Sequence, residues 1–328
     1  MDTFPRSEPA GLELPSGYFV RHPTMRDADA VTEVVTACDV ADFGEPDYTL
    51  DDLLDDWQRP RFDLRRDAWC VTGPTGRLVA YAWCWEASPG QEVEADAFVL
   101  PEYVGRGLGS ALWTLIERRA ARVATGTAAV VTLSAPCPAP NVSKRTLLER
   151  RGFTHTTSTL RLKIDLRARR PEGVPHAPPG ITIRAFQPDR DAEALRATLR
   201  EAFVTHHRYS NRRFDEWLNL RLIHPAFDPG LWRVATAGDE LVGAVLVYDV
   251  GRTGYLSNVA VRPGWRQRGV GQALLRAAFG ALEQRGQMRV LVSVDAAEAS
   301  VTAGLYEAAG MHVHERHDWF AKRLATPP

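Results

Sequence analysis

Short apolar runs separated by turn residues predict the strands of this chain. In the first half two such runs are Ala68–Thr72 and Leu78–Glu86, and in the second half they are Trp232–Thr236 and Leu241–Asp249. Glycine-containing turns separate the members of each pair, as in a hairpin. The pattern therefore predicts an antiparallel hairpin in each half.

Apolar residues then recur at helical spacing in each half, after a third extended run. These residues are Leu112, Leu115, Ile116 and Ala120, and later Leu274, Leu275, Ala278 and Leu282. Another apolar run follows each helix, and a short helical segment ends at Gly152 or Gly310. A strand–helix–strand crossover joins parallel strands. Each half is therefore predicted to be a mixed α/β unit (α+β), a mostly antiparallel sheet flanked by helices.

A phrase that joins the third run to the helix occurs twice. Residues 99–109 read VLPEYVGRGLG, and residues 261–271 read VRPGWRQRGVG. Trp69 recurs as Trp232 in the same register, so the duplication extends well beyond the phrase. The predicted organisation is a flexible arm (1–16), a first domain (17–166), a proline-rich linker (167–180) and a second domain (181–324).

Composition restricts the class of protein. The chain has 328 residues, of which 45% are hydrophobic and 25% charged, with a formal net charge of −1. This is typical of about two soluble domains and marks neither a nucleic-acid nor a membrane surface. The four cysteines lack a C-x-x-C spacing, which favours free thiols in a reducing cytoplasm and no metal site. The oligomeric state stays open.

The repeated Gly/Arg phrase predicts an anion site. A helix start presents unpaired N–H groups and the positive end of its dipole, and arginines can fork onto phosphate oxygens. Two other phosphate motifs do not fit. Gly264 and Gly269 have P-loop spacing, but Val270 follows where lysine is needed. Gly105, Gly107 and Gly109 are one residue short of the dinucleotide spacing.

These residues resemble the GNAT superfamily of acyl-CoA-dependent N-acetyltransferases, whose signature is Arg/Gln-x-x-Gly-x-Gly/Ala. The signature is complete at 266–271, whereas the first half has Val104 at the leading position. The tandem arrangement is most similar to mycothiol-synthase-type acetyltransferases. The resemblance implies two tandem GNAT folds, with a degenerate first domain and a catalytic second domain.

The resemblance also implies acetyl-CoA as the acyl donor. Its diphosphate would lie on the amides of 266–272, and its pantetheine would run beside the preceding strand. The implied cofactor-binding residues are Val259, Ala260, Val261, Arg266, Gln267, Arg268, Gly269, Val270, Gly271 and Gln272. The repeat implies a second set at Val99, Gly105, Arg106, Gly107 and Gly109.

Tyr306 occupies the position of the general acid in this resemblance, and the alternative is an aromatic residue that fills the core. The first half has Leu148 at that position. A general base would come from the strand before the loop, where the first half offers Glu94 and Asp96; the alternative is a solvated strand face. The second half has no carboxylate on that strand, so Asp249, Glu201 or a water chain would take this role.

The expected reaction is acetyl transfer to an amine of a small molecule. A lysine-like amine costs roughly 4.6 kcal/mol to deprotonate at neutral pH, which is why a base is sought. Three alternatives stay open: a mycothiol synthase that acetylates a cysteinyl amino-sugar conjugate, a CoA-binding pseudoenzyme without turnover, and acetylation of protein amines.

Overall fold

The computed structural model describes residues 12–46, 48–123, 130–168, 177–204, 222, 227–250 and 253–325. The chain divides into two compact units. The first unit is Met1–Thr159 together with Glu315–Pro328, and the second is Leu160–His314. No helix among the described residues is long and apolar enough to cross a membrane. The described residues also contain no cluster of three or more His, Cys, Asp or Glu side chains that could hold a metal ion.

The first unit is built on a sheet with helices. Its strands are β1 (Phe19–Arg21), β2 (Ala68–Thr72), β3 (Leu78–Ser88), β4 (Glu92–Val99) and β5 (Val130–Pro138). Its helices are α1 (Ala28–Phe43), α2 (Leu50–Trp57), α3 (Leu64–Asp67), α4 (Leu108–Ala121) and α5 (Val142–Arg150). Neighbouring strands from β1 to β4 are antiparallel, and β4 and β5 are parallel. This confirms the mixed, mostly antiparallel sheet.

The second unit repeats this order. Its strands are β7 (Thr182–Ala185), β8 (Arg233–Ala237), β9 (Glu240–Val250), β10 (Thr253–Val261) and β11 (Arg289–Asp295). Its described helices are α6 (Pro188–Phe203), α7 (Val270–Gln284) and α8 (Ala296–Glu307). Strands β7 to β10 are antiparallel neighbours, and β10 and β11 are parallel.

Two long strands run past the division between the units. They are β6 (Thr154–Asp165) and β12 (His312–Ala325). The end of β12 pairs antiparallel with β5, from His317 opposite Pro138 to Ala325 opposite Val130. The compact units therefore differ in their closing strands from the predicted limits 17–166 and 181–324. The repeat marks which residues share an ancestry, whereas strand pairing sets which residues pack together.

The predicted arm and linker lie partly outside the described residues. Within the arm, Leu12 and Leu14 are described and pack against the core of the first unit. Within the linker, Ala177 packs against the core of the second unit. Residues 1–11 and 169–176 are outside the described ranges.

An ion pair orients the first long helix of each unit in the same way. Arg21 contacts Asp27 at 2.6 Å before α1, and Arg184 contacts Asp191 at 2.5 Å in the first turn of α6. Each pair is bidentate. An acidic residue at a helix start also complements the helix dipole. The duplication therefore repeats individual contacts as well as the order of elements.

Candidate functional site

Strands β10 and β11 diverge in the second unit. Their parallel pairing runs from Thr253 opposite Arg289 to Leu256 opposite Val292. Beyond that point β10 continues to Val261, and β11 continues to Asp295. A β-bulge between Leu256 and Asn258 lies at the same place. The two strands therefore leave a wedge-shaped opening along residues 257–261, which we call the β10 opening.

The backbone of β10 presents polar groups to this opening. The N–H of Arg262 donates to the carbonyl of Val242 on β9 at 2.9 Å. Because backbone groups alternate along an antiparallel strand, those of Ala260 point toward β9 and those of Val259 and Val261 point toward the opening. Val259 and Val261 are the positions predicted to hydrogen-bond pantetheine.

The loop after β10 ends in a helix start with exposed donors. Helix α7 is capped by Gly269 at φ 80°, and its first helical bond runs from Ala273 N–H to the Gly269 carbonyl at 3.0 Å. The backbone N–H groups of 267–272 donate to no other residue in the described part of the chain. Gln267 takes a left-handed φ of 58° where the first unit has Gly105 at 83°. Such a turn of convergent N–H groups is suited to an anion.

The two arginines of the loop make contacts that were not predicted from the sequence. The Nε of Arg266 donates to the Val261 carbonyl at 3.1 Å, and its Nη2 donates to the Ala202 carbonyl at 2.9 Å. The guanidinium of Arg268 lies 5.1 Å from the ring of Trp265. Arg266 therefore ties the loop to β10 and to the last turn of α6, where helical carbonyls lack partners.

The first turn of α7 packs tightly on α8. A Cβ on Gly271 would come within 3.0 Å of Leu305 Cδ1. The side-chain amide of Gln272 donates to the Leu305 carbonyl at 2.5 Å. These contacts bring Tyr306, the next residue of α8, beside the start of α7.

The Tyr306 side chain is 6% exposed and forms part of the second core. Its hydroxyl makes no hydrogen bond to any described residue. Burial raises the pKa of Tyr306 to about 12. The phenol is therefore protonated at neutral pH and has an uncommitted donor. Its packing agrees with the core-filling alternative, and its uncommitted hydroxyl is compatible with a role in chemistry.

The corresponding loop of the first unit has the same backbone form. Helix α4 is capped by Gly107 at φ 81°, and a Cβ on Gly109 would lie 3.1 Å from Leu147. Arg106, however, donates to the Tyr18 hydroxyl at 2.9 Å and to the Glu102 carbonyl at 3.0 Å. The β3–β4 register is continuous from Ala80 opposite Val99 to Glu86 opposite Val93, so β4 has no bulge at the position that matches the bulge of β10; the register shift of this pair lies between Glu86 and Ser88.

The edge of β4 in the first unit is occupied by the chain's own side chains. The Cys38 thiol donates to the Val99 carbonyl at 3.3 Å, and the Ala97 N–H donates to an Asp96 carboxylate oxygen at 2.6 Å. Asp96, the second candidate base of this strand, is buried in an ion pair with Lys144 and so is not on a solvated strand face. The roles of Cys38 and Lys144 were not predicted from the sequence. The scarcity of lysine, three residues in the whole chain, was the one available signal for Lys144.

The candidate bases lie in different places. Glu94 is opposite Ser134, at the last parallel pair of β4 and β5, where these strands part. Asp249 is opposite Gly254 on β10 and accepts a hydrogen bond from Gln287. At roughly 3.3 Å per residue, Asp249 lies on the order of 10 Å along the strand from the β10 opening.

The environments of the two acidic candidates in the second unit also differ. Burial raises the pKa of Asp249, and the charge of Arg285 opposes this rise. Glu201 lies 3.6 Å from Arg262, a cation that no sequence motif singled out and that also contacts Glu240 at 2.9 Å. Neither placement brings a carboxylate onto β10.

Comparison with known proteins agrees with this geometry. The profile of the acetyltransferase (GNAT) family matches residues 29–153 and 192–311. A mycothiol acetyltransferase of Frankia alni is 32% identical over 238 residues, 69% of this chain and 68% of that protein. One of Streptomyces avermitilis is 30% identical over 240 residues, covering 73% and 74%.

Solved structures show the same fold. A GCN5-related N-acetyltransferase from Sphaerobacter thermophilus superposes with a TM-score of 0.81 at 31% identity, over 95% of this chain and 98% of that one. A tandem GNAT protein from the clavulanic acid biosynthesis pathway superposes with a TM-score of 0.66 at 16% identity, over 95% and 99%. The latter likeness concerns the fold alone.

Proposed function

This chain belongs to the acetyltransferase (GNAT) family, and we propose that its second unit transfers the acetyl group of acetyl-CoA to the α-amine of a small molecule. The observation that carries the proposal is the set of uncommitted N–H groups at 267–272 beside the β10 opening. An anion-binding turn next to an exposed strand edge suits a ligand with a diphosphate and an extended amide arm.

The donor would be held by backbone groups more than by side chains. The N–H groups of 267–272 would bind the diphosphate, and Val259 would pair with the amides of the pantetheine arm. Arg266 acts as a positioning residue, because its guanidinium is bound to two backbone carbonyls. Arg268 and Gln267 would face the ligand from the loop.

Tyr306 would assist the departing sulfur. The amine nitrogen attacks the thioester carbon, a C–N bond forms, the C–S bond breaks, and the amine proton must reach the thiolate or solvent. Complete transfer of a proton from a phenol of pKa about 12 to a thiolate of pKa about 8.5 is uphill by about 5 kcal/mol. Tyr306 therefore acts as a hydrogen-bond donor to the departing sulfur and keeps its own proton, while the amine proton passes to the thiolate or to solvent.

The acceptor would be an amine that loses its proton easily. The described residues of β10 include no carboxylate, so a strong base is not provided by this strand. An α-amine of pKa about 8 costs roughly 1.4 kcal/mol to deprotonate at pH 7, whereas a lysine side chain costs roughly 4.6 kcal/mol. A cysteinyl amino-sugar conjugate, the acceptor implied by the resemblance to mycothiol synthases, carries such an α-amine.

An acceptor panel tests this function. Purified protein is incubated with acetyl-CoA and with cysteinyl glucosaminide conjugates, free cysteine, Nα-blocked lysine or a lysine peptide, and acetylated products are measured by mass spectrometry. At pH 7 we expect kcat/KM to favour α-amines over lysine by about 200-fold, following the fraction of free base. Equal use of lysine would overturn the assigned acceptor class. Binding of CoA without any product would favour the pseudoenzyme.

A further inference from the structure

A buried ion pair in the first unit joins β4 to α5. Lys144 Nζ contacts an Asp96 carboxylate oxygen, and the two side chains are 10% and 9% exposed. Lys144 also lies 5.4 Å from the ring of Phe98 on β4. Burying two charges costs desolvation free energy, which their mutual attraction offsets. The low exposure of both side chains shows that the pair lies inside the fold.

The pair crosses the gap between β4 and β5. Asp96 shares a face of β4 with Phe98, whereas Val99 is on the opposite face, toward Gly109 of α4. Helix α5 packs on that opposite side, since its Leu147 contacts Gly109. The Lys144 side chain therefore passes from α5 to the far face of β4, where the parallel pairing of β4 and β5 has already ended at Glu94.

The same stretch of β4 has its outward backbone groups occupied. The N–H of Leu100 donates to Val79 on β3, so the groups of Ala97 and Val99 point away from β3. Asp96 accepts the Ala97 N–H, and Cys38 donates to the Val99 carbonyl. Burial raises the pKa of Cys38 to about 12, so its thiol keeps this proton.

The second unit differs at both residues of the ion pair, whereas the carbonyl of Val261, the counterpart of Val99, is also occupied, by Arg266 Nε at 3.1 Å. In the sequence, Asn258 stands where the first unit has Asp96, and Thr302 stands where it has Lys144. Val259 corresponds to Ala97 and presents its backbone groups to the β10 opening. The two loops are alike, but the two strand edges are not.

We propose that the Lys144–Asp96 pair takes the place of the pantetheine arm in the first unit, so that the chain binds a single acyl-CoA, in its second unit. This inference rests on the proposed function of the second unit. The first unit keeps the backbone form of the loop. The edge of β4, along which the pantetheine arm would run, is occupied by the Lys144–Asp96 pair.

Calorimetric titration of the full chain with CoA measures the number of sites. We expect one equivalent. Arg268→Glu and Val104→Glu each add a carboxylate to one loop; the first should weaken binding by about tenfold or more, and the second by less than about twofold. Two equivalents, or a tenfold loss in Val104→Glu, would overturn the single-site inference alone. Absence of any binding would overturn the proposed function with it.

A double variant tests the pair directly. Asp96→Asn combined with Lys144→Thr places the residues of the second unit in the first and removes both charges of the pair. We expect a second equivalent of CoA to appear, which Val104→Glu then removes. A folded double variant, with a cooperative melting transition, that still binds one equivalent would show that the pair does not close this path. If the double variant does not fold, the number of CoA equivalents bound by the wild-type chain tests the single-site inference.

Discussion

Gly271 lies directly against Leu305, because a Cβ on this glycine would come within 3.0 Å of the leucine Cδ1. The first unit repeats the relationship between Gly109 and Leu147, at 3.1 Å. The last glycine of the signature therefore acts through packing, since the close approach of two helices needs a residue without a side chain. In the second unit this approach also places Tyr306 beside the anion-binding turn.

Replacing Gly271 by alanine tests this packing. We expect Gly271→Ala to lower the free energy of unfolding by about 1–2 kcal/mol, because Leu305 must move. Gly280 lies in the same helix, and a Cβ placed on it would meet nothing within 4 Å. Gly280→Ala should therefore raise the free energy of unfolding by about 0.5–1 kcal/mol. Urea denaturation measures both changes. Equal stabilisation by the two substitutions would contradict the packing role.

Removing the Tyr306 hydroxyl separates chemistry from packing. We expect Tyr306→Phe to lower kcat by about 100-fold or more, with the Kd for CoA unchanged. The hydroxyl has no partner among the described residues, so stability should change by less than about 0.5 kcal/mol. An assay of CoA thiol release measures kcat, and chemical denaturation measures the free energy of unfolding. A large loss of stability with normal kcat would support the core-filling alternative.

The pKa of Tyr306 also predicts a pH profile. A value of about 12 means that the phenol stays protonated through the working range, so it adds no descending limb to kcat below about pH 11. An ascending limb near pH 8 is expected from the α-amine of the acceptor. Rate measurements from pH 6 to 10 test this, and a descending limb near pH 9 that vanishes in Tyr306→Phe would contradict it.

Substitutions of Arg266 test whether this residue acts by holding the loop in place or by its positive charge. Its guanidinium reaches the Val261 and Ala202 carbonyls. Arg266→Ala should raise the Kd for CoA by about tenfold because the loop is no longer held, and Arg266→Gln should recover part of this loss by keeping one hydrogen bond. Equal effects of alanine and glutamine would indicate that the positive charge, and not the bracing, matters.

The ion pair of Arg184 and Asp191 predicts a dependence of stability on pH. Hydrogen bonds from Arg184 lower the pKa of Asp191 below its value in the unfolded chain. The stabilisation is therefore present above about pH 4 and is lost as pH falls through the folded-state pKa. Asp191→Asn should cost about 2 kcal/mol at pH 7 and progressively less toward pH 3. A difference that is constant with pH would exclude this origin.

Much of the fold could be predicted from local patterns. The hairpins at Ala68–Thr72 with Leu78–Ser88 and at Arg233–Ala237 with Glu240–Val250 follow from apolar runs with turn residues between them. The helix starts at Gly107 and Gly269 follow from glycines that take a left-handed backbone. These are short-range properties, since each depends on residues close together in the chain.

The contacts of individual side chains could not be predicted in the same way. Arg266 was expected to face phosphate, but it is bound to carbonyls from two other elements. Asp249 was a candidate base, but the register of β9 and β10 places it opposite Gly254, away from the β10 opening. The proposed catalytic and cofactor-binding roles of these residues stay predictions that the experiments above address.

The amino-acid order alone was sufficient for the duplication, the mixed sheets, the two glycine-capped helix starts and the family, because all of these rest on spacing that a short segment carries. Folding in three dimensions was needed to show that β12 completes the first sheet beside β5 and that Lys144 reaches Asp96 across the edge of β4. Such contacts join residues far apart in the chain, and their partners are selected by strand register and by burial, which no local pattern records.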